Sequence, residues 1–342
     1  ADNRIALRVS FTDERINELY EVAGDPYLSG AVLTRYVPKR GTANWLPTGL
    51  AVGSTVSELE SVQNIPLGHD LVRQDITVEV VHNPKSVFGD PLLPAIYPVY
   101  AARNTPDQVR YDPFSRQLFL NVAAGKTLVD QYRYSVVTTA FSQNNQQTVT
   151  PVYTLNRRSQ DTLRRKIRTA SELPAEVQSL TEFTRDLLKQ RRVDTSSSIL
   201  IARDLENFLT SQELFTYSLS QFGVDRDLTI DPVLDFVMNH RTGHCEHFAS
   251  ALALMLRSQG IPARIVVGYH GGEYNKIGEH YKFRNSDAHA WVEMFIPLET
   301  VPDLDVTLES TGLAGAWVLL DPTPSRDDQL ERTLYDEVVD SF

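Results

Sequence analysis

The spacing of apolar residues changes twice along this chain, and each change limits what the chain can fold into. Through roughly the first 155 residues apolar positions recur every second residue, as in half-buried strands. Residues 71–81 put Val72, Ile76, Val78 and Val80 on one face and Arg73, Thr77 and Glu79 on the other. Residues 4–11, 116–122 and 130–141 repeat the habit, the last with Tyr132, Tyr134 and Val136. Turn formers separate these runs: Gly24-Asp25-Pro26, Gly41, Asn83-Pro84, Gly89-Asp90-Pro91 and Asp112-Pro113. Short alternating strands between turns predict an all-β, sandwich-like domain over residues 1–155. A polar stretch, residues 142–150, marks its end.

From about Pro174 the repeat becomes helical. Val177, Leu180, Phe183, Leu187 and Leu188 form one stripe, ending near Gln190, and Leu200, Ile201, Leu205, Phe208 and Leu209 form another. Asp231-Pro232 opens a third helix, in which Val233, Phe236 and Val237 face inward. A fourth carries Phe248, Leu252, Met255 and Leu256 and stops at Gly260, with Pro262 just beyond. Period two then returns in residues 264–269, 281–284, 288–296 and 316–320. Helices followed by antiparallel strands predict an α+β domain over residues 156–342, closed by an acidic tail. The cluster Arg157, Arg158, Arg164, Arg165, Lys166 and Arg168 reads as a solvated face or strand edge rather than a binding patch.

The 342 residues exceed one ordinary core, in keeping with two domains. The 33 Lys and Arg against 44 Asp and Glu give a net charge of −11, which argues against a nucleic-acid partner. No stretch approaches the ~20 apolar residues of a membrane-spanning helix. Ala1 begins the chain without a signal-peptide pattern, so it reads as a processed product or a fragment of something larger.

One cysteine, Cys245, stands in Gly243-His-Cys-Glu-His-Phe-Ala-Ser-Ala at the start of the fourth helix, with Thr242 or His244 as its cap. There the helix dipole and free backbone N–H groups favour a thiolate and would hold an oxyanion. A lone cysteine is often a small core hydrophobe, but Arg241, Thr242, His244, Glu246 and His247 make this surrounding polar. His289 lies in a strand whose one face carries Asp287, His289 and Trp291. Asp321 ends another apolar strand, just before Pro322. Thiol, imidazole and carboxylate together are the inventory of a nucleophilic cysteine enzyme, with Asp287 and Glu293 as rival carboxylates. Six of the eight histidines fall between residues 240 and 289, yet His244 and His247 make no recognised zinc spacing, so no metal is expected.

Four ordered blocks make the chain resemble the transglutaminase-like superfamily: the Cys245 block, residues 255–269 (Met-Leu-Arg-Ser-Gln-Gly-Ile-Pro-Ala-Arg-Ile-Val-Val-Gly-Tyr), Asp287-Ala-His-Ala-Trp-Val-Glu293 and Trp317-Val-Leu-Leu-Asp-Pro-Thr323. The resemblance runs through roughly residues 175–325 and is nearest to the extracytoplasmic domains of bacterial membrane-anchored members. It implies a papain-like core, a helical lobe on an antiparallel sheet, and no cofactor. It implies Cys245 as nucleophile, His289 as base and Asp321 as its orienting partner. The implied reaction is thiol acyl transfer on glutamine or a related amide of a peptide or protein substrate. Hydrolysis of envelope peptides and a non-catalytic envelope scaffold stand as alternatives. The long insertion between the His and Asp strands, residues 297–315, departs from the pattern. Tyr217, in Leu-Phe-Thr-Tyr-Ser-Leu, reads as a core aromatic, with a place lining the cleft as the alternative.

Overall fold

The computed structural model describes residues 3–47, 54–55, 68–79, 92–103, 109–112, 115–120, 131–154, 156–220, 224–298 and 312–324. The turns at Asn83-Pro84 and Gly89-Asp90-Pro91, the middle of the insertion and the acidic tail lie outside them. Packing divides the chain into two units, each drawn from several segments: residues 1–32, 49–147 and 267–289 in the first, and 33–48, 148–266 and 290–342 in the second.

The first unit is built on an antiparallel sheet. Its strands run in the order Asn145–Gln146, Tyr132–Ser142, Asp70–Val78, Ile5–Asp13, His280–Arg284 and Glu273–Asn275. Register follows the alternation read from sequence: Val9 sits opposite Ile76, and Ile76 opposite Tyr134. Alternate residues therefore share one face, and Val72, Ile76, Val9 and Phe11 are buried there. A smaller sheet, with Val109–Asp112 paired to Gln117–Leu120, contributes Val109, Tyr111, Leu118 and Leu120 to the same apolar core. Two sheets sharing one core is the expected sandwich arrangement.

Among the described residues, the second unit holds five α-helices and most of a five-stranded antiparallel sheet. The helices are α1 (Arg157–Ala170), α2 (Ser179–Gln190), α3 (Ser198–Thr210), α4 (Pro232–Asp235) and α5 (Cys245–Ser258). The arginine-rich stretch is thus helical, not a strand edge. Asn156 caps it by accepting from the Ser159 N–H at 2.9 Å, and Leu163 and Ala170 bury one stripe. α4 begins as expected, with Asp231 accepting from the Val233 N–H at 2.8 Å. It runs on into a π turn, Phe236–His240, closed by the Arg241 N–H donating to the Phe236 carbonyl at 3.0 Å, with Arg241 left-handed at φ +52°.

α5 packs against α2 and α3. Its Phe248, Leu252, Met255 and Leu256 are fully buried, each contributing about 2 kcal/mol of transfer free energy. Gly260 ends it at φ +79°, the left-handed conformation a C-terminal glycine supplies at low cost. Arg257, in the last turn, is buried and donates to the carbonyls of Thr34 (2.6 Å), Glu172 (3.0 Å) and Ala263 (2.9 Å). Three chain segments are thereby tied to one helix end.

In the sheet, Val149–Tyr153 pairs with Leu313–Leu320, which pairs with Ala288–Pro297 beside Ala263–His270. Buried Arg264 ties this sheet internally: it bonds Glu293 at 2.7 and 2.8 Å and lies 3.7 Å over the Trp317 ring. Mixed helix and antiparallel sheet is the fold class the sequence implies.

Candidate active site

Cys245 is the first residue of α5, and His244 is its N-cap. The approach to the thiol is held tightly. Gly243 has no Cβ because one there would stand 2.8 Å from the His247 ring. The His244 N–H donates to His247 Nδ1 at 3.4 Å, and the two imidazoles meet edge to face at 4.5 Å. The His247 nitrogen accepts, so this ring is the neutral tautomer with its proton on Nε2. Burial, then the charges of His244, Arg226 and His240, push its pKa down to about 4.

Cys245 is only 9% exposed, yet its neighbours are polar rather than a sealed apolar interior. The His244 side chain hydrogen-bonds the Cys245 side chain, and this bond raises the imidazole pKa above the usual histidine value, with burial opposing it. An imidazolium beside sulfur favours the thiolate. Tyr217 stands at the same turn: its bridge partner is Gly243, its ring stacks on Phe248 at 6.3 Å, and it lies within electrostatic reach of both Cys245 and Asp321. Tyr217 is 42% exposed, so it is not the core aromatic its sequence setting suggests. Sequence considered His244 only as a cap or metal ligand. Its adjacency to the thiol was the available signal.

The three carboxylates have different partners. Asp321 follows directly on the Leu313–Leu320 strand, its N–H donating to Glu206 Oε1 of α3 at 2.7 Å. Its Oδ1 accepts from the Thr323 N–H at 3.1 Å, which shapes the turn at Pro322. Glu293 is engaged by Arg264 in the buried ion pair described above. Asp287 caps a short turn by accepting the Arg284 N–H at 2.7 Å. All three thus also serve local structure.

His289 closes the first unit, one residue before the second resumes on the same strand. There it belongs to an aromatic cluster in which Tyr27 and His270 stack at 3.7 Å, with His289 5.5 Å from His270 and 6.4 Å from Tyr27. Among the described residues, no three His, Cys, Asp or Glu side chains are grouped to hold a metal ion.

Residues 192–322 match the model of the transglutaminase-like superfamily, a span that contains Cys245, His289 and Asp321. Those residues form a transglutaminase-like domain. The fold extends beyond it: the periplasmic domain of TgpA from Pseudomonas aeruginosa superposes with a TM-score of 0.61 at 21% identity, covering 99% of this chain and 93% of that one. The same domain bound to ethylmercury gives 0.61 at 20% identity, over 94% and 90%. In sequence, the transglutaminase-like region is similar to a protein-glutamine gamma-glutamyltransferase of Pseudomonas aeruginosa, 36% identical over 149 residues. It is also similar to the uncharacterized protein YebA of Bacillus subtilis, 37% identical over 123 residues. These matches cover 42% and 35% of this chain, and 19% and 16% of the two relatives.

Proposed function

We propose that this chain carries the catalytic part of a thiol acyltransferase acting on glutamine or related amides of a peptide or protein, with Cys245, His289 and Asp321 as its triad. The observation that carries the reading is the thiol at the first position of α5, with the His244 imidazole interacting with it and the N-terminal backbone amides around it. The family match over residues 192–322 and the relative named a protein-glutamine gamma-glutamyltransferase support it.

In the proposed reaction His289 takes the Cys245 proton, and sulfur adds to the carboxamide carbon. The N-terminal turn of α5 stabilises the tetrahedral oxyanion. His289 returns the proton to the departing nitrogen, ammonia leaves, and a thioester remains. A primary amine then attacks the thioester and regenerates the thiol, leaving a new amide. Asp321 orients the imidazole and offsets its positive charge. Strand pairing supports that last role: Val292 stands opposite Leu320, so the strand bearing His289 is hydrogen-bonded to the one that leads into Asp321. The likeness to a periplasmic domain supports an extracytoplasmic, envelope location as part of a larger membrane-anchored protein.

The test incubates the chain with a glutamine peptide and a labelled primary amine. Label entering the peptide, lost in Cys245→Ala at unchanged melting temperature, is the expected result. Peptide cleavage without label would move the assignment to a hydrolase, and full transfer by Cys245→Ala would overturn it.

A further inference from the structure

Just ahead of Cys245 stands an aspartate–histidine pair, Asp235 and His240, to which the proposed triad gives no part. His240 ends the π turn, and Arg241 follows it in the left-handed conformation at φ +52°. Two hydrogen bonds cross that residue in opposite directions. His240 Nδ1 accepts the Thr242 N–H at 3.2 Å, and the Thr242 hydroxyl donates to the His240 carbonyl at 3.1 Å. A non-glycine residue keeps a left-handed backbone where its surroundings impose it, and here the reciprocal pair does so. Thr242 is three residues before Cys245, and the same stretch is pinned from its other side. The Thr216 N–H donates to the Arg241 carbonyl at 2.9 Å and the Ser218 N–H to the Gly243 carbonyl at 2.7 Å.

The imidazole is itself fixed. Because Nδ1 accepts, the neutral ring carries its proton on Nε2, which lies 3.5 Å from Asp235 Oδ2. Burial lowers the His240 pKa against the opposing charge of Asp235, which favours this neutral, accepting form. Phe236 meets the ring edge to face at 5.8 Å. Asp235 is fully buried. It also accepts from Asn239 Nδ2 at 2.8 Å and the Asp227 N–H at 3.1 Å, with Arg226 Nε at 3.9 Å. A carboxylate taken wholly out of water adds little net stability even when paired. What this one does secure is the orientation of an imidazole whose other nitrogen grips the cysteine turn.

On the acyl-transfer reading above, we propose that His240 is a positioning residue for the nucleophile: oriented by Asp235, it holds the Thr242 amide and so sets Cys245 at the first position of α5. It touches no reacting atom. Its work is to keep sulfur beside the N-terminal amides of that helix, where a small displacement of a nucleophile lowers the rate steeply. A side-chain acceptor for the N–H two residues on is also what asparagine supplies in an Asx turn. The turn therefore needs an acceptor at the place of Nδ1, not an imidazole as such.

Two variants of the full chain test this. His240→Leu keeps the bulk and removes the acceptor, whereas His240→Asn puts an amide oxygen where Nδ1 stands. Each is compared with the parent, per folded molecule, for alkylation of Cys245 by iodoacetamide and for transfer from a glutamine peptide to a labelled amine. His240→Leu is expected to alkylate about tenfold more slowly near neutral pH, the effect of one unit lost in thiolate stabilisation. Its kcat for transfer is expected to fall about 10- to 100-fold at similar KM. His240→Asn is expected to recover both rates, even where its melting temperature stays as low as that of His240→Leu. Parent rates in His240→Leu would overturn the proposal. So would equal losses in both variants, which would trace the effect to the ring or to Asp235, or a change confined to KM. A parent chain that alkylates readily yet transfers no acyl group would instead overturn the acyl-transfer reading, and the alkylation rates alone would then decide the role of His240.

Discussion

The backbone N–H of Asp321 donates to Glu206 Oε1 at 2.7 Å, so the proposed orienting carboxylate is positioned from helix α3. Strand pairing ends at Leu320, and this bond takes over where the sheet stops holding the chain.

Glu206→Ala leaves that amide without its carboxylate. Stability is expected to fall by about 1–2 kcal/mol, the usual cost of removing one partner of a partly buried hydrogen bond. Because Asp321 would lose its placement, kcat for amine transfer is expected to fall roughly 10- to 100-fold with little change in KM. Urea midpoints and steady-state kinetics on the same preparation check both.

Glu293 and Asp321 are distinguishable by which measurement each one moves. Glu293→Gln strips the buried Arg264 of its counter-charge and is expected to cost about 3–5 kcal/mol, while the folded fraction keeps its kcat. Asp321→Asn should do the reverse, with a small change in melting temperature and a large loss of kcat. A large kcat loss per folded molecule in Glu293→Gln would make Glu293 the third member.

His247 makes stability depend on pH. Its pKa is pushed from 6.5 to about 4 by burial first and by neighbouring positive charge second. The unfolded chain therefore takes up this proton before the folded one does. Stability contributed by the neutral ring is complete above pH 6.5 and declines as pH falls towards about 4, by roughly 2 kcal/mol after solvent screening. Asp231, whose pKa burial raises, works in the opposite sense. The quantity to measure is thus the difference between parent and His247→Gln in urea titrations, which is expected to slope through that window. A flat difference would show that the ring takes up its proton equally in the folded and unfolded states.

Elements announced by local pattern were legible. Phe248, Leu252, Met255 and Leu256 define α5, and Gly260 ends it, because a helix must bury one stripe and close its last carbonyls. Strand alternation located Ile5–Asp13, Asp70–Val78 and Tyr132–Ser142 for the same reason. Features set by distant partners were not. The hairpin Arg35–Lys39 with Thr42–Leu46 belongs to the second unit, where Tyr36 donates to Asp231 at 2.8 Å and Trp45 to Ser250 at 3.0 Å. Nothing within that hairpin points to partners about two hundred positions away. α1 was hidden by its arginines, whose charge masks the Leu163 and Ala170 stripe. Tyr217 sits in a two-residue bridge with no periodicity to read, and its position is set by where Thr242 and Gly243 run.

The His280–Arg284 strand lies beside Ile5–Asp13, with Tyr281 opposite Val9 and Phe283 opposite Leu7. A fragment cut to begin at residue 156 would therefore strip a strand of its neighbour just upstream of His289. The bared edge would expose a row of backbone donors and acceptors to any other chain, an invitation to aggregate. Preparations intended for assay should keep the amino-terminal strands, since the histidine proposed as base is delivered by polypeptide that those strands hold in place.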